Sequence, residues 1–357
     1  MALATSAVPL SKLNPIVRLL SSVRNTNAQL QSQVGAGDFI VLTQPRSRSE
    51  LLSAEINQRL RVDCLGELFN PDLPNSFASW YSQTHNGTMR VPPEEALVAA
   101  KLFYAKGWVG VTGRRVARTP GVPFGFKMFH GFFGGLNLTG FLRQDLSWTH
   151  AHPLKVIHLV RHEFFAGSLS LFEASSLNHY FYSSSKSVDR FVFPVDKRLV
   201  DFVSTSSLLR CLEQQHYVRD LRAATAAKLA TTLSIDADDL LESQLLETIE
   251  SVRQFLGASP LPRKVASSMP SAKVAFKSHQ GRSALPLNQR VESPSKLLRE
   301  LKTLYSSIGK DASARDTFLL RMPAINHGAE FFTVDHYAPE DVDLCLPILI
   351  REIESLS

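Results

Sequence analysis

The chain reads as an α/β protein with a doubly wound, mainly parallel sheet flanked by helices, and three observations carry that reading. Phe39 to Thr43 and Leu154 to Val160 are near-continuous apolar runs of strand length, as expected of parallel strands buried on both faces. Each run breaks at a polar turn and restarts as a helical pattern, from Ser49 and from Phe164. Strands and helices then alternate along most of the chain, the pattern of a crossover-connected sheet.

The first unit, Asp38 to Leu52, organises the rest. Its strand stops at Gln44-Pro45, and Leu51, Leu52 and Ile56 share one face of the helix that follows. A strand that turns sharply into a helix aims unpaired backbone N–H groups at one point, where the helix dipole also favours an anion. Arg46, Ser47 and Ser49 add a cation and two hydroxyls there, although no G-x-x-x-x-G-K-[ST] pattern is present.

Arg61 to Phe69 reads as a short segment carrying Glu67, and residues 70–90 as polar loop. Pro92 or Pro93 opens a helix over Glu94 to Lys106. Val122 to Phe133 is an apolar, Gly-punctuated strand presenting Lys127 and His130 near its end, and Phe141 to His152 a helix and loop. The second strand–turn–helix unit follows at Leu154 to Ser175, about 115 residues after the first. Beyond it the pattern predicts two helices, Asp196 to Gln215 and Val218 to Thr232, and a short strand in Ser234 to Leu240. That strand leads into a helix stopped by Gly257, a natural C-terminal cap. A helix from Pro294 and an amphipathic segment from Pro339 to Ser357 close the chain.

With 357 residues, 44% apolar and 20% charged, the chain has the composition of a globular protein able to bury a large core. The net charge of +6 is uneven: Ser251 to Val291 holds seven Lys or Arg and no acid. No RNA- or DNA-binding motif accompanies that stretch, so nucleic acid is not the expected partner. Cys64, Cys211 and Cys345 lack ligand or C-x-x-C spacing, which argues against a zinc site or disulfide scaffold and fits a reducing compartment, the cytoplasm first. No apolar run is long enough to cross a bilayer. Residues 1–36 contain Lys12, Arg18, Arg24 and no acid; they fit an N-terminal helix or an organelle transit peptide equally.

In a doubly wound sheet, ligands sit beyond the carboxyl ends of the strands where strand order reverses. Both polar turns, 44–49 and 161–163, belong at such ends, which points to a ligand with two separated anionic groups. The residues here resemble the sulfotransferase family, closest to its bacterial trehalose-type branch. VLTQPRSRSELL is similar to that family's 5′-phosphosulfate loop, and VIHLVRHEFFAGSLSLFEA to its 3′-phosphate segment. FGFKMF, LGELF, IDADDLLES with VRQFLG, and LPLNQRVESPSKLLREL resemble further motifs in order, so the likeness covers about residues 36–305.

The resemblance implies a P-loop-like domain over 37–305, with a basic segment before it and a helical extension over 306–357. It implies 3′-phosphoadenylyl sulfate as donor, no metal, and a hydroxyl or amine acceptor on a small molecule or carbohydrate. Arg46 would then meet charge building on the bridging oxygen, with Ser47, Arg48, Ser49 and Glu50 around the 5′ end. Arg161 and Ser170, or Ser168 in another register, would hold the 3′-phosphate. Lys277, with Lys273 as alternative, would close over the nucleotide. Glu67 would be the base, His130 its alternative, and Lys127 would face the sulfuryl oxygens.

Four residues depart from the family pattern, the fourth and mildest being Asp238, where the branch usually has Glu. Arg48 replaces a Gly, so a positive φ is not expected there. Glu50 replaces a hydroxyl residue and would repel a phosphosulfate unless Arg48 pairs with it or it points away as an ordinary first-turn acid. Glu163 replaces a polar residue after the 3′-phosphate Arg.

Overall fold

A computed structural model describes residues 38–44, 46–67, 108–109, 115–116, 122–129, 153–176, 191–240, 244–260, 286–325 and 339–356. In chain order these form β1 (Phe39–Thr43), α1 (Ser49–Arg59), β2 (Asp63–Glu67), β3 (Trp108–Val109), β4 (Arg115–Val116), β5 (Phe124–Phe129) and β6 (Leu154–Val160). They continue as α2 (Phe164–Ser176), α3 (Lys197–Ala226), β7 (Ala230–Asp236), α4 (Leu245–Leu256), α5 (Pro294–Lys310), α6 (Ala312–Ile325) and α7 (Pro339–Ser355).

Five strands make one sheet in the order β2-β5-β1-β6-β7, every neighbouring pair parallel. β3 and β4 form a separate antiparallel pair. β1 lies at the centre, and all five of its residues are buried. Phe39 and Val41 point into one core with α1, α4 and the β6 residues Ile157 and Leu159. A second core is built from α2, α3, α5 and α7, including Leu169, Leu208, Leu212, Leu301, Tyr305 and Leu349. Arg290 anchors the 286–291 segment to α2 by a buried two-pronged pair with Glu173, at 2.9 and 3.0 Å. From β1 the chain runs outward to β2 and returns through β5; from β6 it runs the other way, to β7. The reversal therefore falls between the carboxyl ends of β1 and β6.

Three expectations are corrected. The two helices over 196–232 are one, capped by the Asp196 carboxylate on Leu199 N–H at 2.8 Å. No Gly or Pro interrupts residues 197–226, and Tyr217, Leu221 and Ala224 continue the buried face past the polar Gln214-Gln215-His216. The last strand starts at Ala230, not Ser234, because Lys228 takes a left-handed φ of 57° and ends the helical run early. Cys211 and Cys345, on α3 and α7, form a disulfide with Cα atoms 5.8 Å apart. They lie 134 residues apart, so no local spacing announces the pairing.

Gly257 does cap α4, at φ 66°, with Ala258 N–H returning to Arg253 O at 3.1 Å. Helices beginning at Ser49, Pro294 and Pro339 also stand as read. Among the described residues no helix is long and apolar enough to cross a membrane. The helices expected over 94–106 and 141–152 lie outside the described residues.

Candidate functional site

The turn after β1 is held tightly. Ser47 is fully buried, and its hydroxyl donates to Gln44 O at 2.5 Å and meets the Thr43 hydroxyl. Arg46 and Arg48 both adopt left-handed backbone, at φ 63° and 61°. Arg48 thus takes the conformation that the glycine of the family pattern would supply, contrary to expectation. Each such residue costs about 1–2 kcal/mol, and ties on both sides offset it. Arg46 O accepts from Arg161 Nη1 at 2.8 Å, and Arg46 Nε donates to Ser170 Oγ at 3.2 Å. Arg48 Nη1 donates to Ala237 O at 2.8 Å and to the Asp238 carboxylate. Arg48 therefore does not screen Glu50.

Glu50 finds another partner. It is a first-turn acid of α1, and its carboxylate pairs with the ammonium of Lys127 on β5. Lys127 is 1% exposed and Glu50 55% exposed, so a buried cation is neutralised by a carboxylate at the rim. In register, Lys127 lies opposite Glu67, the last residue of β2. Backbone topology thus gathers Glu67, Lys127 and Glu50 at one end of the sheet, beside the 44–49 turn. His130, Lys273 and Lys277 lie outside the described residues.

At the end of β6, Arg161 is 7% exposed. Its Nη2 donates to Glu163 at 2.9 Å, so the third departure from the family pattern partners the very arginine it follows. Burial draws the Arg161 guanidinium below its ordinary range, and Glu163 opposes that shift. Of the two candidate serines, Ser170 bonds Arg46, while Ser168 is fully buried with no partner for its hydroxyl. Ser170 is in the second turn of α2, on the side that meets the 44–49 turn through Arg46.

Four functional-looking residues were not anticipated. Glu352, from α7, caps α2: its two oxygens accept from Phe164 N–H and Phe165 N–H at 3.1 and 2.9 Å. Burial pushes its carboxyl up to about 7, against those N–H groups. Arg210, on α3, is buried against α2 at Gly167, where a Cβ would come within 2.8 Å of its Nη2. Burial first, then neighbouring Arg161, draws it down to about 10, opposed by Glu213 and Glu352. Glu213 is pushed up to about 7 by burial, with Arg210 and Gln44 pulling the other way. Gln44 joins these groups to the turn, donating to Arg210 O at 2.6 Å and Glu213 Oε2 at 3.0 Å. The available signal was the charged pair Arg210 and Glu213 inside LLRCLEQQ, an apolar stretch of helix where unpaired charge is costly.

A groove of about 680 Å³ between α5 and the end of α7, lined by Ser295, Arg299, Lys302, Thr303, Ser306 and Lys310 among others, shares no residue with this cluster. Among the described residues no group of His, Cys, Asp and Glu is arranged to hold a metal. Arg46, Arg48 and Arg161, a serine and a helix start thus gather at the sheet's reversal point, Arg48 paired with Asp238 and Arg161 with Glu163, with Lys127, Glu50 and Glu67 at its flank. No protein-family model, no curated protein and no solved structure matches the chain.

Proposed function

We infer that the chain is a sulfotransferase, binding 3′-phosphoadenylyl sulfate across the carboxyl ends of β1 and β6. The sulfuryl group passes to a hydroxyl or amine of a small-molecule or carbohydrate acceptor. The observation that carries this reading is the linkage of the two anion-seeking turns, Arg161 to Arg46 O and Arg46 to Ser170. Residues that the family resemblance separates into a 5′ and a 3′ subsite share one bonded cluster at the place where α/β sheets take ligands.

In this reading Arg161 and Ser170 hold the 3′-phosphate by charge-assisted bonds. The N–H groups around Ser47 and Ser49 receive the 5′ end, since turns with left-handed residues converge successive N–H groups on an anion. The acceptor oxygen bonds to sulfur as the bridging P–O–S oxygen departs with its electron pair. The acceptor proton goes to Glu67, with His130 as the alternative base. Arg46 meets the charge growing on the departing oxygen, and Lys127 the sulfuryl oxygens. Glu50 reduces the charge of Lys127 instead of facing the donor unopposed. Lys277 closes over the nucleotide. The donor is a co-substrate, and no metal takes part.

A second reading is a catalytically degenerate relative that serves as a binding or interaction protein. One observation favours it: the Ser47 hydroxyl hydrogen is already engaged on Gln44 O. Calorimetry with 3′-phosphoadenosine 5′-phosphate, followed by transfer of labelled sulfate to acceptor pools, separates the two. Binding with transfer supports the enzyme, and binding without transfer the degenerate protein. No binding at high micromolar nucleotide, in wild type and in Glu50→Thr, removes the enzyme reading, and binding restored only in Glu50→Thr favours the degenerate protein; Mg²⁺-dependent ATP binding in its place would indicate a kinase.

A further inference from the structure

We propose that Glu213 of α3 is a positioning residue for the 44–49 turn, acting through Gln44. The ligand readout below rests on the sulfonucleotide reading; the structural readout does not. The turn holds two left-handed, non-glycine residues within three positions, and such backbone persists only where its surroundings over-determine it. Two of its ties come from groups that an anion would recruit: Arg161 on Arg46 O, and Arg46 on Ser170. Both are weakened at the moment of binding.

The tie through Gln44 is not contested in that way. Gln44 is 4% exposed, and its amide nitrogen spends both hydrogens on α3, at Arg210 O and Glu213 Oε2. Its backbone carbonyl oxygen receives the Ser47 hydroxyl. A bonded chain therefore runs from Glu213 through Gln44 to the residue between the two left-handed arginines. The same turn of α3 presses the Arg210 guanidinium onto Gly167 of α2, so residues 210–213 mount both anion-binding segments and set their separation.

The acid at 213 also answers the charge of Arg210, which lies beside the like-charged Arg161. The charged groups around the mount are Arg210 on α3, Arg161 after β6 and Glu352 from α7, with Tyr217 on α3. The raised Glu213 carboxyl titrates near neutral pH, which makes the tie's strength pH-sensitive.

The test uses the full chain with two variants. Gln44→Leu cuts the tie and leaves Glu213 with Arg210; Glu213→Gln keeps an acceptor oxygen but removes the titration. In ligand-free protein, Gln44→Leu is expected to speed amide hydrogen exchange at residues 46–49 at least tenfold, with α4 and α5 unchanged. Glu213→Gln is expected to stay within about twofold of wild type. Amide NMR shifts of 46–49 should titrate with a midpoint near 7 in wild type and be flat in Glu213→Gln. Affinity for 3′-phosphoadenosine 5′-phosphate should fall about tenfold in Gln44→Leu and recover in Glu213→Gln at pH 7.

Wild-type exchange at 46–49 in Gln44→Leu overturns the proposal, as does one shared titration of 46–49 in wild type and Glu213→Gln. Should Gln44→Leu fail to fold, the titration alone decides. If wild type binds no nucleotide, the sulfonucleotide reading falls, while exchange and titration still judge the role of Glu213.

Discussion

The two turns at the sheet's carboxyl edge occupy equivalent positions and are held in opposite ways. The 44–49 turn carries its constraint in its own backbone, with left-handed residues at 46 and 48 and a buried Ser47 folded back on Gln44. The 161–163 turn has no such strain. Its arginine and the helix it introduces are secured by distant groups, Arg46 O at 115 residues and Glu352 at 187 and 188 residues' separation. A turn shaped by its own backbone and a turn pinned from outside thus share one edge of the sheet. The contrast teaches that the first should resist loss of a rim partner and yield only when its mount at Gln44 is cut, whereas the second should depend on each of its distant partners.

Arg161→Met tests the pinned turn most severely. It removes two charge-assisted bonds and a cation while keeping the stem's packing, so nucleotide affinity should fall by about 3 kcal/mol, roughly a hundredfold, in calorimetry. Unchanged affinity would take the second turn out of the site.

Glu352→Gln loosens the same turn and carries a pH signature. The folded-state pKa of Glu352 is raised from 4.5 to about 7. In the wild type, stability from this group is full below about 4.5 and is lost as pH rises to about 7. The variant should therefore gain on wild type across that window, by on the order of 2 kcal/mol, and the gap should stay level above it. Urea unfolding at pH 5 and pH 8 measures the difference; a gap independent of pH would place the carboxylate in solvent.

Glu50→Thr probes the flank of the cradle. Glu50 is half exposed but its partner Lys127 is buried, so losing the pair should cost more than a surface ion pair does, about 2 kcal/mol of stability. Nucleotide affinity should rise a few-fold, as an acid beside the 44–49 turn is gone. A fall in affinity would make Glu50 the holder of Lys127 and not an obstacle. Arg48→Gly should change least. Relief of a left-handed side chain, about 1 kcal/mol, offsets loss of a rim ion pair of about 0–1 kcal/mol. A large loss of stability in urea would show that Arg48 clamps the turn to the end of β7.

Much of this arrangement was legible in the chain. β1 and β6 announced themselves because strands buried on both faces must be apolar throughout, and Phe39–Thr43 and Leu154–Val160 are. Arg46 and Arg161 were legible because each follows a strand end at short range, and Ser170 only through the family resemblance. Gln44 and Glu213 were not, since an amide and a helix-interior acid acquire meaning only once α3 crosses behind the turn. Glu352 lies outside the motifs in order and reaches α2 only through tertiary packing. The single long α3 was misread because Gln214-Gln215-His216 has loop-like polarity, yet helix propensity and the neighbouring Tyr217 and Leu221 carry the helix through. β7 was placed late because ATTLSID, with only its first and sixth residues buried, lacks a clean alternation.

The central position of β1 has a consequence for how the protein is made. Its partners are β5, 86 residues downstream, and β6, 116 residues downstream. At about 5–20 residues per second, roughly 6–23 s pass between synthesis of β1 and that of the strand completing its pairing. Throughout that interval an apolar strand leaves the ribosome with both edges open, the kind of segment that recruits chaperones or pairs with other chains. The residues that make the sheet's centre the most secure part of the folded protein make it the most exposed part of the growing one.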